Sequence, residues 1–189
     1  MLRNGDNRIG IVTRLLHWTM AAGVLATIPI GLRITNAEPS LALIPWFGVH
    51  KTIGVSLLAM LLLRLAWHRI TPPPGPLPGV PPLADRLARA THRTFYLLLL
   101  LVPLSGWIGS SASGIDTVVF GRWTLPALVP ASPELERAAF AFHRAGAYLL
   151  VALVLLHVAG DEEDEGALKR SLAGDGTLRR MVTGASHRG

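Results

Sequence analysis

The sequence predicts an all-α membrane protein in which four transmembrane helices form a bundle. Half of the 189 residues are hydrophobic and 16% are charged, whereas a typical soluble domain carries about 25% charged residues. The charges cluster at the ends of four long apolar runs. About 20 helical residues cross a hydrocarbon layer that is roughly 30 Å thick, and each run comes close to that length.

The first run predicts a helix over about residues 11–34. Basic residues precede it, as in a signal peptide, but its length and the lack of a small-x-small cleavage pattern favour a retained helix. The second run predicts a helix over about residues 46–67. The stretch "TPPPGPLPGVPP" (71–82) follows, with nine prolines and glycines among its twelve residues, and predicts an extended surface connector.

The third run predicts a helix over about residues 89–109, and a long loop with glycines and prolines follows. In "SPELER", Ser132 has the character of an N-cap, and Pro133 suits the first helical position. The fourth helix is therefore predicted over about residues 133–160. We expect residues 1–189 to form one membrane domain, with 161–189 as a cytoplasmic tail.

The distribution of the basic residues bears on partners and on orientation. The net charge is +6 with a pI near 11, but the cations flank the apolar runs instead of forming one patch with aromatic residues. The sequence thus predicts a lipid bilayer as partner and no nucleic acid. Thirteen of the eighteen Lys and Arg residues fall on the side of the two termini, so both termini are predicted to be cytoplasmic.

Histidines stand near both ends of the fourth predicted helix. His143 and His157 are fourteen positions apart, which places them on nearly the same helix face, about 21 Å apart along the axis. His50 on the second helix matches the depth of His143 at the outer end. His17 on the first helix matches the depth of His157 at the inner end. Because polar side chains in transmembrane helices are costly, a functional role is the first hypothesis for all four.

Two stacked histidine pairs in a helical bundle predict two six-coordinate haems, each held by imidazoles of facing helices. The chain has no cysteine, which excludes iron–sulfur clusters and thiolate zinc sites. Zinc held by histidine alone is the rival metal, but its ligands have to gather within a few ångströms. His92 competes with His17 for the inner site, and depth favours His17, because His92 precedes the apolar run. His92 is then a candidate contact for a haem propionate or a quinone.

Three cations close to these histidines are candidate partners of haem propionates: Arg14, Lys51 and Arg144. The alternative interpretation is that they anchor the helices at the membrane interface. Lys51 and Arg144 are predicted to form a positive mouth on the outer side that attracts an anion. Small residues near the histidines, Gly106 among them, are expected to let a flat macrocycle approach the backbone.

Several segments together resemble the prokaryotic cytochrome b561 family of di-haem b-type membrane cytochromes. They are "TRLLHW", "GVHKTIGVSLLAMLLLRLAW", "HRTFYLLLLLVPLSGW", "FHRAGAYLLVALVLLHV" and "DGTLRRM", in this order from about residue 9 to 181. The resemblance implies haem ligation by His17 with His157 and by His50 with His143. It implies an oxidoreductase that moves electrons between a periplasmic donor and the quinone pool. Superoxide is one candidate donor, and ubiquinone is a candidate acceptor.

The tail departs from the family pattern. "DEEDE" (161–165) is an acidic segment, and Lys169 with Arg170 stands where relatives carry further histidines near the quinone region. His92 and the edge of the inner haem remain the candidate markers of a quinone site. Two alternatives stay open: a haem-bearing membrane anchor or subunit of a separate dehydrogenase, and a small transporter without haem.

Overall fold

The computed structural model describes residues 1–75, 82–159 and 177–184. Four of its helices are long and apolar enough to cross a membrane, which confirms the all-α class and the four predicted spans. In chain order the elements are α1 (Ile11–Asn36), a short 3-10 helix (Leu41–Leu43), α2 (Ile44–Ile70), α3 (Pro82–Ala112), β1 (Thr117–Val119), β2 (Trp123–Leu125), α4 (Pro133–Ala159) and α5 (Thr177–Thr183).

Large apolar side chains lie mostly on the surface of these helices. Leu61 is fully buried, whereas its neighbours Leu62 and Leu63 are 55% and 61% exposed, and Leu155 on α4 is 64% exposed. A soluble protein rarely exposes apolar area on this scale. The exposed leucines therefore form the surface that contacts lipid.

Helix α3 is longer than predicted at both ends. It begins at Pro82, where the missing N–H costs nothing, and an ion pair between Asp85 and Arg89 stabilises its first turns. The predicted connector therefore ends at Pro82, and its residues 76–81 lie outside the described part of the chain. The predicted tail is described from residue 177, where α5 begins. The assignment of residues 1–189 to one domain with a cytoplasmic tail remains a prediction.

The long loop before α4 contains an antiparallel hairpin that was not predicted. Strands β1 and β2 pair Val119 with Trp123, and the Arg122 N–H donates to the Val119 carbonyl across the turn. Phe120 and Gly121 both have positive φ, as a type I′ turn requires. Strands of three residues are too short to show a periodic pattern, and Phe120 is not a residue that predicts a turn at positive φ. The sequence therefore indicated only a loop.

The start of α4 agrees with the prediction. Pro133 is its first residue, and the Ser132 hydroxyl accepts a hydrogen bond from the Leu135 N–H at 3.3 Å. Glu134 and Glu136 lie in the first turn, next to the unpaired N–H groups. The predicted N-cap is thus confirmed.

The chain divides into two compact units. The first unit consists of Met1–Thr19, Leu62–Tyr96 and Leu150–Gly189. In it the Asn4 amide donates to the Thr71 carbonyl at 2.9 Å, and the Trp18 indole donates to the Met181 carbonyl at 3.1 Å. These bonds attach the N-terminal segment to the end of α2, and α5 to α1.

The second unit consists of Met20–Leu61 and Leu97–Leu149. In it the Ser132 N–H donates to the last residue of α3, the carbonyl of Ala112, at 2.9 Å. The Phe120 N–H donates to the Thr52 hydroxyl at 3.0 Å, so the hairpin turn is attached to α2.

Candidate functional site

The five candidate histidines divide between the two units. His50 of α2 and His143 of α4 belong to the second unit, whereas His17, His92 and His157 belong to the first. All five lie on transmembrane helices. Each unit thus brings histidines of different helices together, and each group is described separately below.

In the second unit, the imidazole rings of His50 and His143 are neighbours in an edge-to-face arrangement. Their centres are 5.9 Å apart and their planes are inclined by 73°. Two imidazoles that bind one metal ion from opposite sides, each with its nitrogen about 2 Å from the metal, have ring centres roughly 6 Å apart. The separation of this pair therefore suits ligation of one iron between the two rings.

A hydrogen bond at Nδ1 of each ring holds the pair in place. His143 Nδ1 lies 2.8 Å from the Val102 carbonyl oxygen, and because that oxygen only accepts, Nδ1 carries the proton and donates. His50 Nδ1 lies 3.2 Å from the Thr27 hydroxyl. A proton on Nδ1 leaves the Nε2 lone pair for a metal, which is the usual arrangement of a ligating histidine.

Glycines permit the close packing of these rings. A Cβ on Gly106 would lie 3.0 Å from the His143 ring, and a Cβ on Gly31 would lie 3.3 Å from the His50 ring. Gly54, one turn after His50, is half-buried, yet a Cβ there would meet no atom within 4 Å. The residues around His50 and His143 therefore fit a b-type haem in ligand chemistry and ring separation.

Lys51 and Arg144 occupy different settings. The Lys51 ammonium group donates to the Ser110 hydroxyl at 2.6 Å and to the Asp116 carbonyl at 2.8 Å, and the residue is half-buried. Arg144 is exposed and lines a surface cavity along α4 together with Phe140 and Tyr148. Lys51 thus fastens α2 to the end of α3 and the following loop, while Arg144 keeps its charge at the surface.

In the first unit, His157 has neighbours on α3. Its ring centre lies 5.6 Å from that of His92 and 5.5 Å from that of Phe95. The exposed His92 ring has its Nδ1 2.8 Å from the Ala88 carbonyl, so Nδ1 donates and the Nε2 lone pair is free. His92 was predicted to compete with His17 for the inner site, or to contact a propionate or a quinone. Its proton on Nδ1 and free lone pair on Nε2 are the arrangement that a histidine bound to a metal has.

His17 belongs to the same unit as His157 and His92, but its ring nitrogen is engaged by a residue of α2. Arg64 Nη1 lies 3.3 Å from His17 Nδ1. Because a guanidinium only donates, Nδ1 accepts and the proton of the neutral ring lies on Nε2. This is the reverse of the tautomer that a haem ligand needs. His17 and His157 fit an iron only if Arg64 gives up this bond.

Arg14, the remaining candidate propionate partner, packs against the end of α5. Its Nη1 is 2.8 Å from the position that a Cβ on Gly184 would take. Its Nε is buried and has no hydrogen-bond partner in the described residues. The side chain therefore presents a cationic donor without an acceptor, as a residue that awaits an anionic group would.

The sequence analysis did not single out Arg64, His68 and Tyr96 as site residues. Arg64 is half-buried in the first unit and contacts both His17 and the Tyr96 ring. In the sequence, Arg64 is a cation within the apolar run "MLLLRLAW". A charge at such a position is costly in a membrane and indicates a partner. His68 follows four residues later, on the same helix face.

No three or more His, Cys, Asp or Glu side chains gather into a metal-binding group within residues 1–75, 82–159 and 177–184. The histidines come instead as facing rings, as axial ligation of a haem iron requires. Four-coordinate zinc needs a larger cluster of ligands. The paired histidines of the described residues therefore suit haem, whose iron needs two side-chain ligands.

Comparisons with known proteins agree with this chemistry. Residues 8–184 match the family described as prokaryotic cytochrome b561. The chain is also similar to Cytochrome b561 homolog 2 of Escherichia coli (strain K12), with 33% identity over 184 residues. That alignment covers 95% of this chain and 93% of the relative.

Proposed function

The chain belongs to the prokaryotic cytochrome b561 family, and on that premise we propose that it carries electrons through two b-type haems between a periplasmic donor and the quinone pool. Membership makes it a multi-pass electron-transfer protein of the bacterial inner membrane, and implies b-type haem. The observation that carries the proposal is the facing pair of His50 and His143, with Nδ1 of His143 donating to a carbonyl.

In the proposed outer site, His50 and His143 would hold the haem iron. When bound, the haem supplies a one-electron couple, and no side chain forms a covalent intermediate. The Val102 carbonyl fixes the His143 ring and makes its Nε2 a better electron donor. Thr27 holds the His50 ring from α1. The protein thus sets ligand orientation and basicity, which are the levers that tune a haem potential.

In the proposed inner site, His17 and His157 would hold the haem iron, and His92 is the competing partner of His157. Support for His17 comes from its depth in α1, which matches the depth of His157 in α4. Support for His92 comes from its ring contact with His157 at 5.6 Å. His17→Ala and His92→Ala distinguish the two assignments. Only the substitution of the true ligand should remove the low-spin, six-coordinate spectrum of the inner haem.

The proposed donor is superoxide and the proposed acceptor is ubiquinone. Two superoxide anions give two oxygen molecules and two electrons, and one quinone takes up those electrons with two protons to form the quinol. The exposed guanidinium of Arg144 is suited to attract an anion, and Lys51 adds positive charge although two of its donors are engaged. His92, exposed on α3, is the residue that we assign to quinone contact.

The test is a haem count and a redox assay on the purified protein. We expect a pyridine haemochrome spectrum to give two b-type haems per chain, and His50→Ala or His143→Ala to leave one. His187→Ala, in a tail position without an assigned role, is the control. A colourless protein would overturn the proposal in favour of a transporter.

The electron-transfer step needs a separate measurement. Stopped-flow mixing of the oxidised protein with superoxide should reduce the haems, and a short-chain ubiquinone should reoxidise them. A protein with two haems that stays redox-inert until a dehydrogenase is added would contradict the donor assignment. It would instead identify a haem-bearing anchor or subunit.

A further inference from the structure

Arg64 and His68 lie one turn apart on α2, on the same face of the helix and within the first unit. The Arg64 guanidinium stacks over the Tyr96 ring at 5.7 Å. The Tyr96 hydroxyl lies 3.5 Å from His68 Nδ1. These contacts join α2 to α3, and Arg64 Nη1 also donates to His17 Nδ1 at 3.3 Å.

Both side chains hold a buried nitrogen that has no partner. Arg64 Nε and His68 Nε2 are inaccessible to solvent and make no hydrogen bond in the described residues. Arg64 Nε always carries a hydrogen, and His68 Nε2 carries one when the Tyr96 hydroxyl donates to Nδ1. Buried donors without acceptors are rare in native proteins and call for an explanation.

The charge of Arg64 is also unbalanced. The two ion pairs found in the described ranges join Arg89 to Asp85 and Arg137 to Glu134, and neither involves Arg64. A cation inside a transmembrane helix normally pairs with an acidic group or a carbonyl. An anion with two acceptor atoms is the kind of partner that would satisfy both donors and balance the charge of Arg64.

We propose that Arg64 and His68 form a carboxylate-binding pair that takes one propionate of the inner haem. This inference rests on the proposed function, because a b-type haem beside His17 brings the carboxylates within reach. A carboxylate offers one oxygen to each of the two orphaned donors and neutralises the guanidinium. The sequence analysis predicted Arg14 and His92, and neither Arg64 nor His68, as contacts of the inner propionates.

Arg64 also contacts His17, because its Nη1 donates to His17 Nδ1 at 3.3 Å. The nitrogen without a partner is Nε. A guanidinium has several N–H donors, so it can bind a carboxylate through Nε and keep its bond to His17. Arg64 thus links the proposed carboxylate site to His17.

The test uses the purified holoprotein, with haem labelled with carbon-13 at both propionate carboxyl groups. Redox difference infrared spectra are compared for the wild type, Arg64→Gln, His68→Gln and the control Arg69→Gln. Arg69 is exposed and follows His68 directly. Its substitution therefore removes a nearby charge but leaves both donors of the pair in place. We expect the labelled carboxylate band to shift in the two pair variants and to stay unchanged in the control.

Haem transfer to apomyoglobin gives a second readout. Loss of a charge-assisted hydrogen bond should release the inner haem about tenfold faster in Arg64→Gln and in His68→Gln. If Arg64→Gln does not retain the inner haem, His68→Gln decides alone, because His68 has no hydrogen bond to His17. Labelled bands and release rates equal to those of the wild type in His68→Gln would overturn the inference.

Two other outcomes are distinguishable. A band that shifts in the pair variants without dependence on the label would mean that the pair binds a lipid headgroup, which also overturns the inference. A wild-type protein without a second haem would contradict the proposed function itself. The haem count is therefore made before the spectra are compared.

Discussion

Gly106 packs directly against the imidazole ring of His143, and its lack of a side chain leaves room for that ring. His143 Nδ1 donates to the Val102 carbonyl at 2.8 Å. A Cβ on Gly106, one turn further along the same helix as Val102, would lie 3.0 Å from Nδ1 and from Cε1 of this ring. The ring therefore cannot move away from a larger residue without lengthening its hydrogen bond.

We expect Gly106→Ala to disturb the outer haem. The added methyl group overpacks the site, which costs about 1–3 kcal/mol, and tilts the His143 ring. The measurable results are a lower unfolding temperature and a shifted midpoint potential for one haem. Gly48→Ala is the matched control, because a Cβ at Gly48 meets no atom within 4 Å. Equal midpoint potentials in both variants and the wild type would show that Gly106 does not constrain the ligand.

At the scale of elements, helices α3 and α4 approach each other closely at small residues. A Cβ on Gly146 would lie 2.7 Å from a Val102 methyl carbon, and a Cβ on Gly109 would lie 2.9 Å from the Phe140 ring. Small residues let helices pack tightly in membranes, where the hydrophobic effect does not drive their association. This contact is the reason why Val102, on α3, can orient His143 on α4.

Lys51 ties a second pair of elements together, and its removal should affect stability more than charge attraction. Lys51→Gln removes two hydrogen bonds from a half-buried ammonium group to Ser110 and Asp116. Charged hydrogen bonds contribute about 1.5–3 kcal/mol each when buried, and partial exposure reduces this. We expect a clear fall in unfolding temperature for Lys51→Gln.

Arg144→Gln is the comparison, because Arg144 is exposed. Its stability should stay within about 0.5 kcal/mol of the wild type. Its superoxide reaction should slow down and lose part of its dependence on ionic strength. The reverse pattern, with a stable Lys51 variant and a destabilised Arg144 variant, would contradict these roles.

At the scale of the whole molecule, the charge asymmetry predicts orientation. Thirteen of the eighteen cations lie on the side of the termini, so both ends should face the cytoplasm. Fluorescent-protein fusions at either end should fluoresce, and periplasmic reporter enzymes at either end should stay inactive. A periplasmic reporter that is active at only one of the two termini would mean that an odd number of helices spans the membrane, which would contradict the prediction.

The sequence by itself determined the four spans, the start of α4 and the histidines worth examining. These depend on run length, capping residues and the cost of polar groups in lipid, all of which are local or additive along the chain. The lack of cysteine also restricted the metal chemistry. The sequence did not predict the hairpin at residues 117–125 or the first turns of α3, because their signals are short.

The tertiary structure alone decided which atoms each histidine meets. It joined His143 to the Val102 carbonyl across 41 positions of the chain, engaged Lys51 with Ser110, and directed Arg64 to His17. The depth of a residue in a helix fixes its level in the membrane, but its rotation and its neighbours follow from packing between helices. Tautomers and orphaned donors depend on those neighbours, and so they could be assigned only after the chain had folded.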